Sequence, residues 1–360
     1  MKIVIYLDSI GVKAGVERVC ALLANEWCTK GYEIYIISND SLAPAFPLNE
    51  NVKLISLGHK RLVSSGSKFS RLYHIVKKNI VIQKKLKAHF KQINPDYIYS
   101  TTIQTAMALL FFNKKYKVIA SDHGAFKAYN WIYKIYKVLF YRFFYAIVCL
   151  TKADSQIYKK INKKTYCIPN FLSFETKKGS ALNNKKAISV GRLVKEKNFT
   201  DMIDIWAEIV KTKPDWILEI YGDGPLKKQL QNQIDKLNLS SHVLLMGTTK
   251  NIQKKYIEAS IFLMTSVYEG FGMVLLEAMQ CGLPVISYDT LEGVKEILDG
   301  QFGINVECYN KDKFINELLL MIEDTKKRKL YSNKAKKRSN EYNKEKILEE
   351  WWKLFKGDKI

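Results

Sequence analysis

Short apolar runs rich in β-branched residues alternate with segments of helical periodicity along most of the chain. A helix is predicted over Val16–Lys30, because apolar residues recur on one face of it and Gly31 follows as a stop signal. This alternation predicts a parallel sheet that is covered by helices on both faces. Strands are predicted in the first half at Ile3–Leu7, Ile34–Ile37, Lys53–Ile55, Tyr97–Tyr99, Val118–Ala120 and Ile147–Leu150.

A polar segment without periodicity, Thr176–Lys186, interrupts the alternation and predicts a linker. The alternation restarts beyond it, and the pattern stays helical after Asp312 up to an apolar cluster around Trp351 and Trp352. We therefore expect an α/β protein with two doubly wound domains, residues 1–175 and 186–340, and a C-terminal helix over 341–360. The second domain is predicted to contain strands at Ala187–Val190, Trp216–Tyr221, Val243–Met246, Ile261–Met264 and Pro284–Ser287, and helices at Phe199–Lys211, Pro225–Leu237, Ile252–Ala259 and Met273–Cys281.

Length and composition agree with two globular domains. The chain has 360 residues, 47% of them hydrophobic and 26% charged, which argues against disorder, collagen and a disulfide miniprotein. Its six cysteines are scattered without a paired motif, so they favour neither a zinc site nor a disulfide framework but reduced thiols of the cytosol. The first residues predict a strand rather than a signal peptide, and no apolar run reaches the roughly 20 residues that span a bilayer.

The charge is strongly positive and unevenly distributed. The 58 Lys and Arg outnumber the 35 Asp and Glu, for a net charge of +23. Between Lys53 and Lys164, 23 basic residues face only Asp96, Asp122 and Asp154. An excess of this kind points to a polyanionic partner, and nucleic acid, anionic lipid and a phosphorylated substrate all qualify.

Two stretches of this basic region allow two interpretations. Arg71–Phe90 has the spacing of a basic amphipathic helix. In Phe126–Tyr145, aromatic and basic residues interleave, which suits a lipid headgroup layer with snorkelling cations. Alternatively, the aromatic residues form the domain core and the cations a solvated face. The cations of the second stretch are Lys127, Lys134, Lys137 and Arg142.

Ligands of doubly wound sheets bind beyond the carboxyl ends of the strands, so the loops there are candidate sites. After the first strand, Gly15 opens a helix whose free amides suit an anion, although the glycine could equally serve the turn alone. His123 follows another strand and could hydrogen-bond a sugar or a phosphate, or it could be a structural histidine.

The second domain carries two more specific motifs. Arg192 and Lys197, in the loop after its first strand, could together neutralise a diphosphate. Glu269 and Glu277 are separated by seven residues, and Gly270 and Gly272 precede a helix whose free amides suit phosphate. Glu277 lies in an otherwise apolar run, where an unpaired carboxylate would be costly, and it suits the paired hydroxyls of a ribose.

With these motifs the chain resembles the retaining glycosyltransferases of the family 4 type, which have the GT-B fold. The resemblance rests on Glu269-x7-Glu277, Gly191-Arg192…Glu196-Lys197, the turn Tyr221–Pro225 and Gly15-x-Glu17, which stand in the family's order over nearly the whole chain. The first loop departs from the family pattern, because Ala14-Gly15 stands where two adjacent glycines are frequent.

The resemblance implies two Rossmann-like domains that face each other across a cleft, with the C-terminal helix crossing back to the first domain. It assigns the diphosphate to Arg192 and Lys197, the ribose to Glu277, and the donor sugar to Glu269 and the amides near Gly272. It places His123 beside the sugar as the fourth catalytic residue with Glu269, Arg192 and Lys197. The donor-binding set is completed by Gly15, Gly191, Gly270, Phe271, Met273 and Val274.

The resemblance further implies leaving-group catalysis with retention and without a general base. No D-x-D sequence occurs, so neither a metal nor another cofactor is expected. The expected donor is a nucleoside-diphosphate hexose or N-acetylhexosamine, with UDP favoured. The expected acceptor is a polyprenyl-diphosphate-linked saccharide of bacterial surface polysaccharide assembly, such as O-antigen, capsule or another glycan.

The basic first domain suggests a cytoplasmic protein that binds peripherally to the anionic inner face of the cell membrane. Two alternatives stay open. One is another GT-B enzyme, a nucleotide-sugar epimerase or a phosphorylase. The other is a basic nucleic-acid-binding α/β protein, which would leave Glu269 and Glu277 unexplained.

Overall fold

The structure is a computed structural model that describes residues 1–59, 68–290 and 292–357, with the backbone alone for residues 68–79. The chain divides into two compact units, Met1–Ile168 and Pro169–Ile360. Residues 168–185, which include all but the last residue of the predicted linker, contain neither helix nor strand.

The described part of the first unit contains seven parallel strands in the order β3-β2-β1-β4-β5-β6-β7. The central strand β1 pairs Ile3 with Ile34 of β2 on one side and with Tyr97 of β4 on the other. Strands β2 and β3 continue the sheet on one side of β1, and β4 to β7 continue it on the other, so the strand order reverses at β1. The strands are β1 Lys2–Leu7, β2 Glu33–Ser38, β3 Lys53–Ser56, β4 Tyr97–Ser100, β5 Lys117–Asp122, β6 Ala146–Cys149 and β7 Thr165–Cys167.

Helices connect these strands. Of the four residues of α1 that the periodicity predicts to point inward, Val19, Leu23 and Trp27 are buried and Leu22 is partly buried. The ring of Trp27 meets that of Tyr99 edge-on at 5.9 Å. The described helices of this unit are α1 Gly15–Thr29, α2 Lys68–Ile93, α3 Ile103–Leu109, α4 Trp131–Phe140 and α5 Lys152–Lys159.

Six parallel strands form the described sheet of the second unit, in the order β10-β9-β8-β11-β12-β13. They are β8 Lys186–Val190, β9 Ile217–Tyr221, β10 Val243–Gly247, β11 Ile261–Met264, β12 Val285–Asp289 and β13 Ile304–Glu307. The helices described there are α6 Phe199–Thr212, α7 Lys227–Lys236, α8 Ile252–Ile257, α9 Met273–Gln280, α10 Glu292–Leu298, α11 Lys311–Glu323, α12 Thr325–Ser339 and α13 Lys344–Lys356.

The predicted α/β class with two doubly wound parallel sheets is confirmed. Two edge strands, β7 and β13, escaped the sequence prediction because each has only three or four residues. The cluster around Trp351 lies on α13, where Trp351, Leu354 and Phe355 are buried. The crossing of this helix back to the first domain stays a prediction.

The predicted helix over Arg71–Phe90 lies within α2. Ile82, Leu86 and Phe90 are buried, whereas Ile80 is exposed although it fits the predicted spacing. The side chains before residue 80 lie outside the described part of the chain, so their share of the predicted amphipathic pattern stays a prediction. No described helix has the length and hydrophobicity needed to cross a membrane.

Candidate active site

The second unit has its switch point between β8 and β11. Strand β8 pairs with β9 on one side and with β11 on the other, and all three run in the same direction. The loops after β8 and β11 therefore leave the same edge of the sheet side by side, where a doubly wound sheet binds its ligand. These two loops contain Arg192, Lys197 and Glu269.

Two glycines after β9 pack directly against the loop after β8. A Cβ on Gly222, whose φ is +145°, would lie 1.8 Å from the carbonyl oxygen of Gly191. A Cβ on Gly224 would lie 2.5 Å from the carbonyl oxygen of Leu193. Only glycine fits at such contacts, so the turn Tyr221–Pro225 fixes the backbone that carries Arg192.

The loops after β8 and β11 are joined by backbone and side-chain contacts. The Thr265 hydroxyl donates to the carbonyl oxygen of Asn198 at 2.9 Å, and the Val267 amide donates to that of Glu196 at the same distance. Asn198 has φ +48°, a conformation that asparagine tolerates better than most residues. The loops are therefore held together by the protein itself.

Lys197 and Glu269 form an ion pair between these loops. Their side chains retain 21% and 16% of their exposure, so the pair is shielded but open to solvent on one side. Arg192, five positions earlier, is exposed. The structure thus brings together Lys197 and Glu269, which sequence reasoning assigned to different parts of a ligand.

Helix α9 begins directly after the second of these loops. Its N-cap is Gly272 with φ +95°, which L side chains rarely adopt, and the first-turn amides have no side-chain cap. Met273 and Val274 in this turn are partly buried. Phe271 is 4% exposed and its ring lies 5.8 Å from that of Tyr342, so its side chain anchors the loop by packing.

Sequence reasoning missed the residue that supports this loop from α10. A Cβ on Gly293 would lie 2.5 Å from the carbonyl oxygen of Gly270 and 2.6 Å from the Cα of Phe271. The helix therefore approaches the loop as closely as glycine allows. A lone glycine inside a helical pattern was the available signal.

Glu277 lies on α9 and is 1% exposed. The hydroxyl of Ser173 donates to its Oε1 at 2.7 Å, and the hydroxyl of Tyr256 lies 3.5 Å from its Oε2. This burial agrees with the apolar run of sequence in which Glu277 lies. Ser173 and Tyr256 are partners that the sequence did not indicate, because they lie 104 and 21 positions away.

His123 follows β5 in the first unit and is partly buried. Its Nε2 lies 3.0 Å from the hydroxyl of Tyr99, and that hydroxyl donates its proton to Ser121 at 3.0 Å. Burial lowers the pKa of His123 to about 4, although the neighbouring Asp122 opposes this shift. The imidazole is therefore neutral near pH 7 and offers a hydrogen bond rather than a charge.

A buried ionic cluster lies next to His123 in sequence. Asp122 is 3% exposed and receives hydrogen bonds from Lys137, Tyr129 and Tyr158. Lys137 is fully buried, its ammonium lying 3.4 Å from the ring centroid of Tyr129. The prediction that Lys137 snorkels to a surface is wrong, because the buried carboxylate of Asp122 requires a cation within the core.

Gly15 and Gly11 differ in what they require. A Cβ on Gly11 would lie 2.3 Å from that of Leu42, so packing explains this glycine. A Cβ on Gly15, the first residue of α1, would meet no described atom within 4 Å. Neither crowding nor a positive φ therefore explains Gly15, which leaves room for a ligand beside the helix terminus.

Two family models match consecutive parts of the chain. Glycosyltransferase Family 4 matches residues 14–175, and Glycosyl transferases group 1 matches residues 172–338. The chain belongs to the family 4 glycosyltransferases. Its relatives include an uncharacterized glycosyltransferase of Haemophilus influenzae, 28% identical over 97% of this chain and 98% of the relative.

Two further relatives have more specific names. The amylovoran biosynthesis glycosyltransferase AmsD of Erwinia amylovora is 26% identical over 97% of this glycosyltransferase and 98% of its own length. An N-acetylgalactosaminyltransferase of Campylobacter jejuni, whose named acceptor is N-acetylgalactosamine-N,N'-diacetylbacillosaminyl-diphospho-undecaprenol, is 39% identical over 49% of this chain and 48% of its own.

Solved structures agree with the fold of this glycosyltransferase. Sucrose-phosphate synthase of Thermosynechococcus elongatus superposes with a TM-score of 0.82 at 15% identity, over 99% of this chain and 98% of its own. The pneumococcal O-GlcNAc transferase GtfA, solved with UDP and GlcNAc, gives 0.78 at 15% identity over 99% of both chains. The predicted GT-B fold is confirmed.

Proposed function

We propose that this glycosyltransferase moves a hexose or N-acetylhexosamine from a nucleoside-diphosphate sugar to a lipid-linked saccharide, with retention of anomeric configuration. The process would be the assembly of a bacterial surface polysaccharide. The observation that carries the proposal is the Lys197–Glu269 ion pair, which joins the two loops of the switch point, one of which also carries exposed Arg192.

The charges around this pair suit a diphosphate. As the glycosidic bond breaks, negative charge develops on the leaving nucleoside diphosphate, and fixed cations stabilise it. Lys197 is neutralised by Glu269 without ligand, so donor binding would transfer Lys197 to the diphosphate and release Glu269 to the sugar hydroxyls. Arg192 would add its planar fork to the same phosphates, with the amides of Gly272, Met273 and Val274 nearby.

Glu277 would accept hydrogen bonds from the ribose diol of the donor. A carboxylate can accept several hydrogen bonds at once, and Glu277 lies on the helix that follows the loop of Glu269. UDP is the first candidate nucleotide, because the similar transferase GtfA was solved with UDP. Gly191, Gly270 and Phe271 would shape the pocket through their backbone.

Retention would proceed by attack on the same face of the sugar, with the leaving phosphate accepting the acceptor proton. Neutral His123 would bind a hydroxyl of the donor sugar, and Gly15 would allow the backbone to approach the phosphates. No general base is assigned. Within the described residues, no three His, Cys, Asp or Glu side chains are grouped to hold a metal ion, and we propose a reaction without metal or other cofactor.

The acceptor proposal follows the named relatives. One of them acts on a diphospho-undecaprenol-linked saccharide and another takes part in amylovoran biosynthesis. A polyprenyl-diphosphate acceptor would place the enzyme in the cytoplasm, at the anionic inner face of the cell membrane, which suits the basic stretch from Lys53 to Lys164. Because the chain belongs to the family 4 glycosyltransferases, an epimerase, a phosphorylase and a nucleic-acid-binding protein are weaker candidates than a glycosyltransferase.

A ligand screen followed by a transfer assay tests the proposal. A nucleotide-sugar at about 100 times its Kd should stabilise the protein by about 2.7 kcal/mol in thermal unfolding. The selected donor should then label a polyprenyl-diphosphate saccharide, and NMR of the product should show the anomeric configuration of the donor. Lys195→Ala, which changes an exposed lysine in the loop of Arg192 and Lys197, is the control variant for both assays. An inverted product, or conversion of the donor without any acceptor, would contradict the proposal.

A further inference from the structure

Helix α4 exposes a continuous apolar face. Five large hydrophobic residues on it are between 46% and 70% exposed, and their spacing of one, four, seven and eight positions puts them on one stripe. The opposite side of the helix is held in the core by the buried Lys137. The exposed residues are Trp131, Ile132, Ile135, Val138 and Leu139.

Two aromatic residues extend this stripe beyond the helix. Phe143, in the turn that follows α4, is 58% exposed, and Phe111 is 75% exposed. The side-chain amide of Asn113 donates to the carbonyl oxygen of Phe143 at 3.0 Å, which places the turn carrying Phe111 beside the end of α4. We call the five helical residues together with Phe111 and Phe143 the apolar stripe. Isolated exposed hydrophobic residues are ordinary, whereas a contiguous set marks an interaction surface.

The charges around the apolar stripe select its partner. Lys114, Lys115, Lys127 and Arg142 are exposed, while the only acidic residue between positions 97 and 151 is Asp122, which is buried with Lys137. The surface is therefore cationic without exposed carboxylates. A second copy of the same face would bring cations against cations, whereas anionic lipid headgroups would neutralise them.

We propose that the apolar stripe inserts into the headgroup layer of an anionic lipid bilayer. Trp131, Phe111 and Phe143 suit the interface between headgroups and acyl chains, and the aliphatic residues suit the depth just below it. The surrounding lysines and Arg142 bind lipid phosphates. The inference deepens the proposed function and rests on it for the lipid-linked acceptor, but the surface itself is defined by exposure and charge.

The test uses the full-length protein and vesicles of phosphatidylcholine with or without phosphatidylglycerol. Because Ile132→Gln/Ile135→Gln leaves the net charge unchanged, it isolates insertion from electrostatic attraction. This variant should bind anionic vesicles at least about tenfold more weakly, and the wild-type binding that survives about 0.5 M salt should disappear. The matched control is Leu320→Gln/Leu330→Gln, two residues that are 49% and 53% exposed on α11 and α12. It should bind as wild type does.

A spectroscopic measurement reports the insertion directly. Vesicles should shift the tryptophan emission of the wild type to shorter wavelength, and Trp131→Phe should abolish most of that shift. Unchanged thermal unfolding of each variant shows that folding is intact, as expected for exposed positions.

Two outcomes would overturn the proposal. Equal vesicle binding of the Gln variant and wild type would mean that the protein adsorbs by charge alone. A wild-type dimer that the Gln variant dissociates would assign the stripe to a second copy. Transfer to a short water-soluble acceptor should be unchanged in the variant. If the protein inserts into vesicles but transfers sugar from no nucleotide-sugar, the proposed function is wrong and the assignment of the apolar stripe to a lipid surface is still supported.

Discussion

The two units of this glycosyltransferase differ in the kind of feature that distinguishes them. In the second unit, the loops of the switch point are fixed by backbone contacts that only glycine permits, and the cation Lys197 has its own carboxylate partner. In the first unit, the surface around α4 is cationic and apolar without exposed carboxylates. The second unit thus depends on geometry at a few positions, whereas the first depends on the composition of a whole surface.

This difference explains why single residues mark the candidate site of the second unit but not the surface of the first. Close packing between backbone segments constrains each residue at the contact, as at Gly222 and Gly293. A lipid surface accepts many arrangements of lysines and aromatic residues, because snorkelling side chains and interfacial rings need no fixed geometry. The predictions below test this division, from the largest expected effect to the smallest.

The buried Lys137–Asp122 pair is the place where the first unit also depends on geometry. Lys137→Ala would leave the carboxylate of Asp122 buried without its cation, and we expect a loss of about 3–5 kcal/mol in the free energy of unfolding. Urea unfolding measures it, with exposed Lys127→Ala as the control. A loss below about 1 kcal/mol would show that this pair does not organise the core beneath α4.

In the second unit, the charges should matter for turnover rather than for folding. Arg192→Ala and Lys197→Ala should each lower kcat by about two to three orders of magnitude, because each removes a preorganised cation at the leaving group. Lys195→Ala is the matched control from the same loop. Activity within about twofold of wild type, with intact folding, would remove the substituted residue from the site.

Gly293→Ala tests whether α10 fixes the loop after β11, which contains Gly270 and Phe271. The added methyl group would collide with Gly270 and Phe271, and overpacking of this kind costs about 1–3 kcal/mol. We expect the KM for the donor to rise along with the loss of stability. Gly15→Ala is the informative comparison, since its methyl group meets no described atom within 4 Å. It should leave unfolding unchanged and impair catalysis only if a ligand approaches there.

Much of the fold and part of the site could be predicted from the sequence. Alternating periods located both sheets and helix α9, because these signals are local. Ser173 was not predictable as a partner of Glu277, since a contact across 104 positions leaves no local pattern. The role of Lys137 was also hidden, because the sequence cannot show which face of α4 is turned inward.

The pH dependence of unfolding tests the environment of His123. Its pKa is lowered to about 4 in the folded protein, so between about pH 6.5 and 4 the unfolded chain binds the extra proton. Stability should therefore fall as the pH decreases through this window. His123→Gln should lose less stability than wild type between pH 7 and pH 5, by about 1 kcal/mol because the side chain is only partly buried. Identical pH profiles would place the imidazole in an open, solvated position.

The smallest expected effect is an unchanged rate, and it concerns how the second unit would neutralise the diphosphate of the donor. If Arg192 and Lys197 replace a metal ion, EDTA should leave initial rates unchanged, and added Mg²⁺ or Mn²⁺ should not raise them. The control is the same assay with a metal-dependent transferase, which EDTA should stop. A loss of activity that Mg²⁺ restores would mean that carboxylates from elsewhere hold an ion at the phosphates. Diphosphate binding in the second unit would then depend on a bound ion rather than on the fixed cations of its own loops.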